Sequence, residues 1–250
     1  MLAGHDKMAL WFSGGKDSMA CLYLLRPYLD TITVLWVNTG KNYPEALAVV
    51  EQAKALCPNW QEIVTDRDAQ WAEMGMPSDV VPMDHTVSGE QMTHAKPVRI
   101  QAYTNCCLAN IALPLWKASH DLGATMVIRG QRADEPRRST TINGGAMFGM
   151  KVWHPIEQWT KEMVLSYLHA EMPSVPAHYA IAHSSLDCYD CTAFAANSLD
   201  RVQWMRKTHP EKHLDYMAKL TQVVKATHDA MQPYSALLRE TPCSTHLSLV

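Results

Sequence analysis

The sequence predicts an α/β protein: a parallel sheet flanked by helices, followed by a helical C-terminal extension. Three observations carry this. Short apolar, β-branched runs alternate with amphipathic stretches over the first 130 residues, which is the pattern of β-α-β units. A glycine-rich turn, Ser13-Gly14-Gly15-Lys16-Asp17-Ser18, joins the first apolar run to the first helical one. Beyond Ser198 the chain reads as helix almost to Arg239.

Lys7 to Phe12 reads as a buried strand and Asp17 to Arg26 as a helix, with Pro27 near its end. Thr31 to Val37, "TITVLWV", is the second strand, and Asn38-Thr39-Gly40 the turn that leaves it. Pro44 to Cys57 is helical with a first-turn proline, and Gln61 to Thr65 is a third strand. From Asp66 to about Arg99 the periodicity fails, which predicts a long irregular loop. Helix resumes near Gln101 and runs toward Asp121 with a kink at Pro114; Thr125 to Arg129 is a fourth strand. "INGGAMFGMKVW" reads as a hairpin, and Thr160 to Glu171 as a helix capped by Thr160.

The 250 residues carry a formal net charge of −3, so the chain as a whole is not built to bind polyanions. No apolar run approaches the ~20 residues of a membrane helix. No charged-then-apolar leader precedes Ser13, so a cytoplasmic location is expected. Seven cysteines, an odd number in such a chain, argue against a disulfide framework and leave metal binding, catalysis or burial.

The Ser13–Ser18 turn is suited to an anion. Gly14 and Gly15 let backbone N–H groups approach it, the following helix aims its positive end there, Lys16 adds a charge, and Ser13 and Ser18 add hydroxyls. A plain Gly-Gly turn before a helix is the bland reading. Cys106-Cys107 and Cys188-Tyr189-Asp190-Cys191 form a second constellation of four thiols, which suits an iron–sulfur cluster, zinc or plain burial. Cys21 and Cys57 read as packing residues, and His209 and His213, without a third ligand, as a solvated helix start.

"SGGKDS" resembles the loop of the PP-loop ATP pyrophosphatases, within the phosphoadenosine phosphosulfate (PAPS) reductase family. "VNTGKNYPEAL" (37–47) resembles that family's adenine-reading segment, and "VIRGQRADEPRRS" (127–139) its G-x-R-x-x-[DE]-x-x-R signature. The resemblance implies an adenine-nucleotide alpha-hydrolase-like, Rossmann-like domain over 1–195, with 196–250 as the helical extension. It implies ATP, with Mg²⁺, on Ser13, Gly14, Gly15, Lys16, Asp17, Ser18, Asn38, Thr39, Gly40, Gly130, Arg132, Arg137 and Arg138. Lys16, Asp17 and Arg132 are the implied catalytic residues.

The cysteines, Cys-Cys and Cys-x-x-Cys with residues 108 to 187 between them, are similar to the pattern of the [4Fe-4S] adenylyl-sulfate reductases. "HPIEQWTKEMVLSYL" (154–168) and "VPAHYA" (175–180) resemble the run before that family's C-x-x-C. The implied cluster ligands are Cys106, Cys107, Cys188 and Cys191. Within the resemblance, the intact loop and the tail "RETPCSTHLSLV" favour an ATP pyrophosphatase for sulfur incorporation, similar to the DNA phosphorothioation enzymes. The tail keeps only the Cys243-x-x-His246 spacing of the thiol-dependent sulfonucleotide reductases, which are the alternative; a non-catalytic nucleotide-binding module is the third. A cysteine desulfurase is the expected sulfur donor, nucleic acid is expected to bind the isolated chain only weakly, and a homodimer is a candidate assembly. The 66–99 loop and the C-terminal helices are the expected docking surfaces.

Overall fold

The computed structural model describes residues 2, 4–135, 138–139, 141–181, 186 and 188–240. Strands β1 (Met8–Phe12), β2 (Ile32–Asn38), β3 (Trp60–Val64), β6 (Met126–Arg129) and β8 (Met150–Trp153) form a parallel sheet, with β7 (Ala146–Met147) antiparallel to β8. The other two strands, β4 (Met76–Ser78) and β5 (Ile100–Ala102), pair in parallel as a separate small sheet. The order of the large sheet is β3-β2-β1-β6-β8-β7. The chain therefore winds outward from β1 in one direction and then starts again on its other side at β6. The loops leaving β1 and β6 diverge at that reversal, the crevice where open α/β sheets take ligands.

Every residue of β1 is buried, because both faces of the central strand are covered. One face packs under α1 (Lys16–Leu24), α2 (Pro44–Leu56) and α7 (Lys161–Glu171), with Leu10, Val34, Ile128, Met19, Val49 and Leu168 in one core. The other face, with Trp11, Leu35 and Val127, packs under α6 (Leu113–Asp121) through Leu115 and Trp116. Cys21 is fully buried in the first core and Cys57 packs against it, so both are packing residues.

The segment expected to be an irregular loop is instead largely structured. It holds α3 (Arg67–Met74), β4, a single 3-10 turn (Met83–His85) and α4 (Val87–Thr93) before β5. These elements are too short to show a period in sequence. Each helix is started by a local cap: Asp66 accepts from Ala69 N–H at 2.9 Å and Thr86 from Gly89 N–H at 3.0 Å. Gly75, at φ +96°, lets the backbone of Arg99 pass where a Cβ would stand 2.2 Å from its carbonyl.

The helical run over 103–121 is α5 (Tyr103–Cys107), a π-helical turn (Leu108–Ala112) and α6. Pro114 has no N–H and its ring crowds the carbonyl four residues back, so the turn before it widens. Thr160 caps α7 as expected, accepting from Met163 N–H at 3.3 Å. The short α8 (His178–Ile181) follows, then α9 (Leu199–Thr208) and α10 (Pro210–Glu240). The last two dock on the body: Met205 and Tyr216 join Tyr43 and Ala46 in a third core, and Val223 and Ala226 meet Ile100 of the small sheet. No helix among the described residues is long and apolar enough to cross a membrane.

Candidate active site

The loop between β1 and α1 lies at the sheet reversal. Gly14 takes φ +75°, with α2 close behind it: a Cβ there would stand 3.6 Å from Val50 and 3.7 Å from the Ala46 carbonyl. Ser18 ties the loop to itself, accepting from Ser13 N–H at 3.2 Å and donating to the Gly15 carbonyl at 2.9 Å. The buried Tyr179 hydroxyl donates to the Gly14 carbonyl at 2.8 Å. Gly15, the N-cap of α1, leaves the helix start without a side-chain cap. Uncapped N–H groups at a helix start, next to two glycines, suit a phosphate.

Lys16 and Arg132 are 7% and 6% exposed, so their charges work in a poorly solvated setting. Both hold Asp17: Lys16 Nζ donates to Oδ2 at 2.8 Å and Arg132 Nη1 to Oδ1. Arg132 Nε also donates to Asp134 at 2.8 Å, and its backbone N–H to Glu135 at 3.1 Å. Burial opposes the Arg132 charge, but its bonds to Asp134 and Asp17 outweigh it and raise its pKa. Burial raises the Glu135 pKa, and the nearby Asp17 carboxylate adds to the effect.

Gly130 explains how two loops distant in sequence come so close. A Cβ there would stand 2.7 Å from the backbone carbonyl of Asp17 and 2.8 Å from Ser18 N. Only glycine allows this approach.

Arg129 does not join this site. Arg129 turns to the opposite face, 5.1 Å from the Trp11 ring centroid, and donates to Thr141 at 2.8 Å. Burial pulls its pKa down to about 10. Arg138 and Lys151 are exposed, and Arg137 lies outside the described residues.

At the end of β2, Asn38 organises the turn: Oδ1 accepts from Gly40 N–H at 2.9 Å while Nδ2 donates to Glu62 at 2.8 Å. Gly40 takes φ +71°. The buried Thr39 hydroxyl lies 3.6 Å from Cys188 Sγ, and Tyr189 N–H donates to the Lys41 carbonyl at 2.9 Å. The predicted adenine segment is thus laced to the C-x-x-C loop.

One thiol of each pair, Cys106 and Cys191, comes within electrostatic reach of the other. Burial raises the pKa of Cys106 and of Cys191, and a charge on Cys106 pushes Cys191 further up, so the two thiols sense each other across the fold. Trp71 Nε1–H donates to Cys106 Sγ at 3.1 Å, and Asn110 Nδ2 lies 3.7 Å from it. Among the described residues no three His, Cys, Asp or Glu side chains form a group that could hold a single metal ion. A cube of four irons and four sulfides keeps its thiolates farther apart than one ion does. The N–H groups aimed at Cys106 Sγ and the orphaned buried N–H of Arg67, which is bonded to Asp190 of the C-x-x-C loop, are of the kind that suits such a group.

Sequence reasoning missed Arg67, Trp71, Asp190 and Tyr179. Asp190, inside the C-x-x-C, is fully buried and bonded to Arg67 and Lys219. Its place between two cysteines was the available signal. His209 bonds Glu45 at 3.0 Å rather than facing solvent.

A Gly-Gly-Lys loop at the reversal of a parallel α/β sheet, faced by an arginine from the strand beyond it, defines the PP-loop class. Residues 7–194 match the phosphoadenosine phosphosulfate reductase domain, and the chain belongs to that family. A phosphoadenosine 5'-phosphosulfate reductase of Gloeobacter violaceus is 25% identical over 214 residues, 82% of this chain and 81% of its own. An adenosine 5'-phosphosulfate reductase of Burkholderia cepacia is 24% identical over 192 residues, 75% of this chain and 70% of its own. The crystal structure of a phosphoadenylyl-sulfate (PAPS) reductase from Candida auris, a phosphate complex, gives a TM-score of 0.49 at 13% identity, over 72% of this chain and 80% of that chain.

Proposed function

We propose that this chain is an ATP pyrophosphatase that adenylates an acceptor oxygen so that sulfur can replace it, with nucleic-acid thiolation such as DNA phosphorothioation as the setting. The observation that carries this reading is the pair of buried cations, Lys16 and Arg132, gathered on Asp17 beside the uncapped start of α1. MgATP is the substrate. An acceptor oxygen forms a bond to the α-phosphorus, the bond from that phosphorus to the bridging oxygen breaks, and pyrophosphate leaves with the electron pair. Lys16 exchanges Asp17 for the leaving group and stabilises its growing charge. Arg132, held by Asp134, keeps Asp17 and the loop in place. The outer sulfur of a cysteine desulfurase's persulfide then displaces AMP from the activated acceptor, giving an acceptor–S–S–cysteine adduct. A second thiol cleaves its S–S bond, leaving the sulfur on the acceptor and a disulfide behind.

Cys106, Cys107, Cys188 and Cys191 would hold the [4Fe-4S] cluster, which when bound supplies one-electron chemistry or a sulfur-binding iron. The net charge of −3 leaves delivery of a nucleic-acid acceptor to a partner subunit. The test is product identity: anaerobically purified protein is expected to form AMP and pyrophosphate in equal amounts, and ADP with phosphate would refute the assignment.

A second reading, a sulfonucleotide reductase that releases sulfite, is favoured by the names of the two curated relatives. There the nucleophile would be Cys243, which lies outside the described residues.

A further inference from the structure

Arg67 opens α3 immediately beyond β3 and is 1% exposed. Its terminal nitrogens are engaged: Nη1 on Asp190 Oδ1, and Nη2 on Asp190 Oδ2 at 2.9 Å and Asp68 Oδ1 at 3.1 Å. Among the described residues its Nε–H is buried with no hydrogen-bond partner. An orphaned donor on a buried charged group is costly, because its desolvation is not repaid by a bond. Such a group usually signals a missing acceptor.

The surroundings indicate what kind of acceptor. The guanidinium carbon stands 3.9 Å from the centroid of the Trp71 ring, and the same indole donates its N–H to Cys106 Sγ at 3.1 Å. Asp190, the carboxylate that Arg67 clamps, sits between Cys188 and Cys191. Arg67 and Trp71 therefore link one thiol pair to the other.

We infer that Arg67 and Trp71 are positioning residues for a thiolate-ligated cluster, supplying charge and N–H donors to its sulfurs and so raising its reduction potential. This rests on the cluster reading given under Proposed function. A cluster on four thiolates is anionic and becomes more so on reduction, so N–H donors and a fixed cation favour the reduced form. A purely structural Arg67–Asp190 pair would leave the potential indifferent to the indole N–H.

The test uses the full chain, loaded anaerobically with iron and sulfide. Trp71→Phe keeps a ring against Arg67 and removes only the N–H. It is expected to take up iron and sulfide as the wild type does, with an apo-protein melting temperature close to wild type. Its midpoint potential should shift to more negative values, and its cluster should bleach in air several-fold faster. Arg67→Lys should shift the potential in the same direction; if it fails to fold for want of the Asp190 clamp, Trp71→Phe decides. A Trp71→Phe cluster with wild-type potential and lifetime overturns the proposal alone. A wild type that takes up no iron and sulfide overturns the cluster reading, and the proposal with it.

Discussion

Arg132 and Asp17, 115 residues apart in sequence, form an ion pair that closes the phosphate loop against the loop following β6. Lys16 holds the other oxygen of the same carboxylate. One acidic side chain thus positions both cations of the site.

Lys16→Ala should lower turnover about 100- to 1000-fold, the usual effect of removing one preorganised donor from a transition state. Its melting temperature should change little, because among the described residues the ion pair of Lys16 is with its sequence neighbour Asp17. Steady-state kinetics beside a thermal melt checks this. Wild-type turnover in a folded Lys16→Ala protein would remove Lys16 from the mechanism.

Gly130→Ala should be damaging despite its small size. The new methyl would meet backbone atoms of Asp17 and Ser18 at under 3 Å, and neither belongs to a side chain that can swing away. Overpacking of this kind costs about 1–3 kcal/mol. Nucleotide affinity should fall together with stability, measurable by calorimetry and by melting. A variant with unchanged affinity would show that the two loops can separate freely.

Tyr179→Phe tests a subtler link. Its hydroxyl is buried on the Gly14 carbonyl, and losing that bond should cost about 1 kcal/mol. Because the bond shapes the phosphate loop, KM for the nucleotide should rise more than kcat falls. Equal effects on both parameters would argue against a role confined to binding.

The sequence was informative where chemistry is local. A Gly-Gly-Lys turn between a strand and a helix needs no tertiary information to interpret, and β1, β2 and β6 carry strong apolar runs. It was uninformative over 66–99, where α3 and α4 are too short to display a period and depend on Asp66 and Thr86 caps. Arg67 was hidden for another reason. Its partner Asp190 lies 123 residues away, and a lone arginine after a strand reads as surface. Arg129 and Arg132 are close in sequence, but β6 turns Arg129 to the opposite layer from Arg132.

Acidification should destabilise the fold through His154. Burial lowers its pKa below the ordinary 6.5 and the neighbouring Arg129 lowers it further, against the opposing pull of Glu157, and among the described residues its Nδ1 has no hydrogen-bond partner. The unfolded chain therefore takes up the proton first as pH falls. The stability that neutral His154 contributes is complete above about pH 6.5 and is lost as pH falls through the folded-state value. His178, also lowered mainly by burial, acts in the same direction. Melting temperatures between pH 8 and 5 should fall less steeply for His154→Gln than for the wild type. Parallel slopes would exclude His154 as a source of the dependence.

Incubating the anaerobically purified chain with ATP in one reaction and with adenylyl sulfates in another, and measuring pyrophosphate and sulfite, tests the central claim most directly. Pyrophosphate is expected from ATP, released about 100- to 1000-fold more slowly by Lys16→Ala and at the wild-type rate by Cys243→Ser, with no sulfite from either sulfonucleotide. Sulfite release that depends on Cys243, with ATP left intact, would contradict it and make the chain a sulfonucleotide reductase.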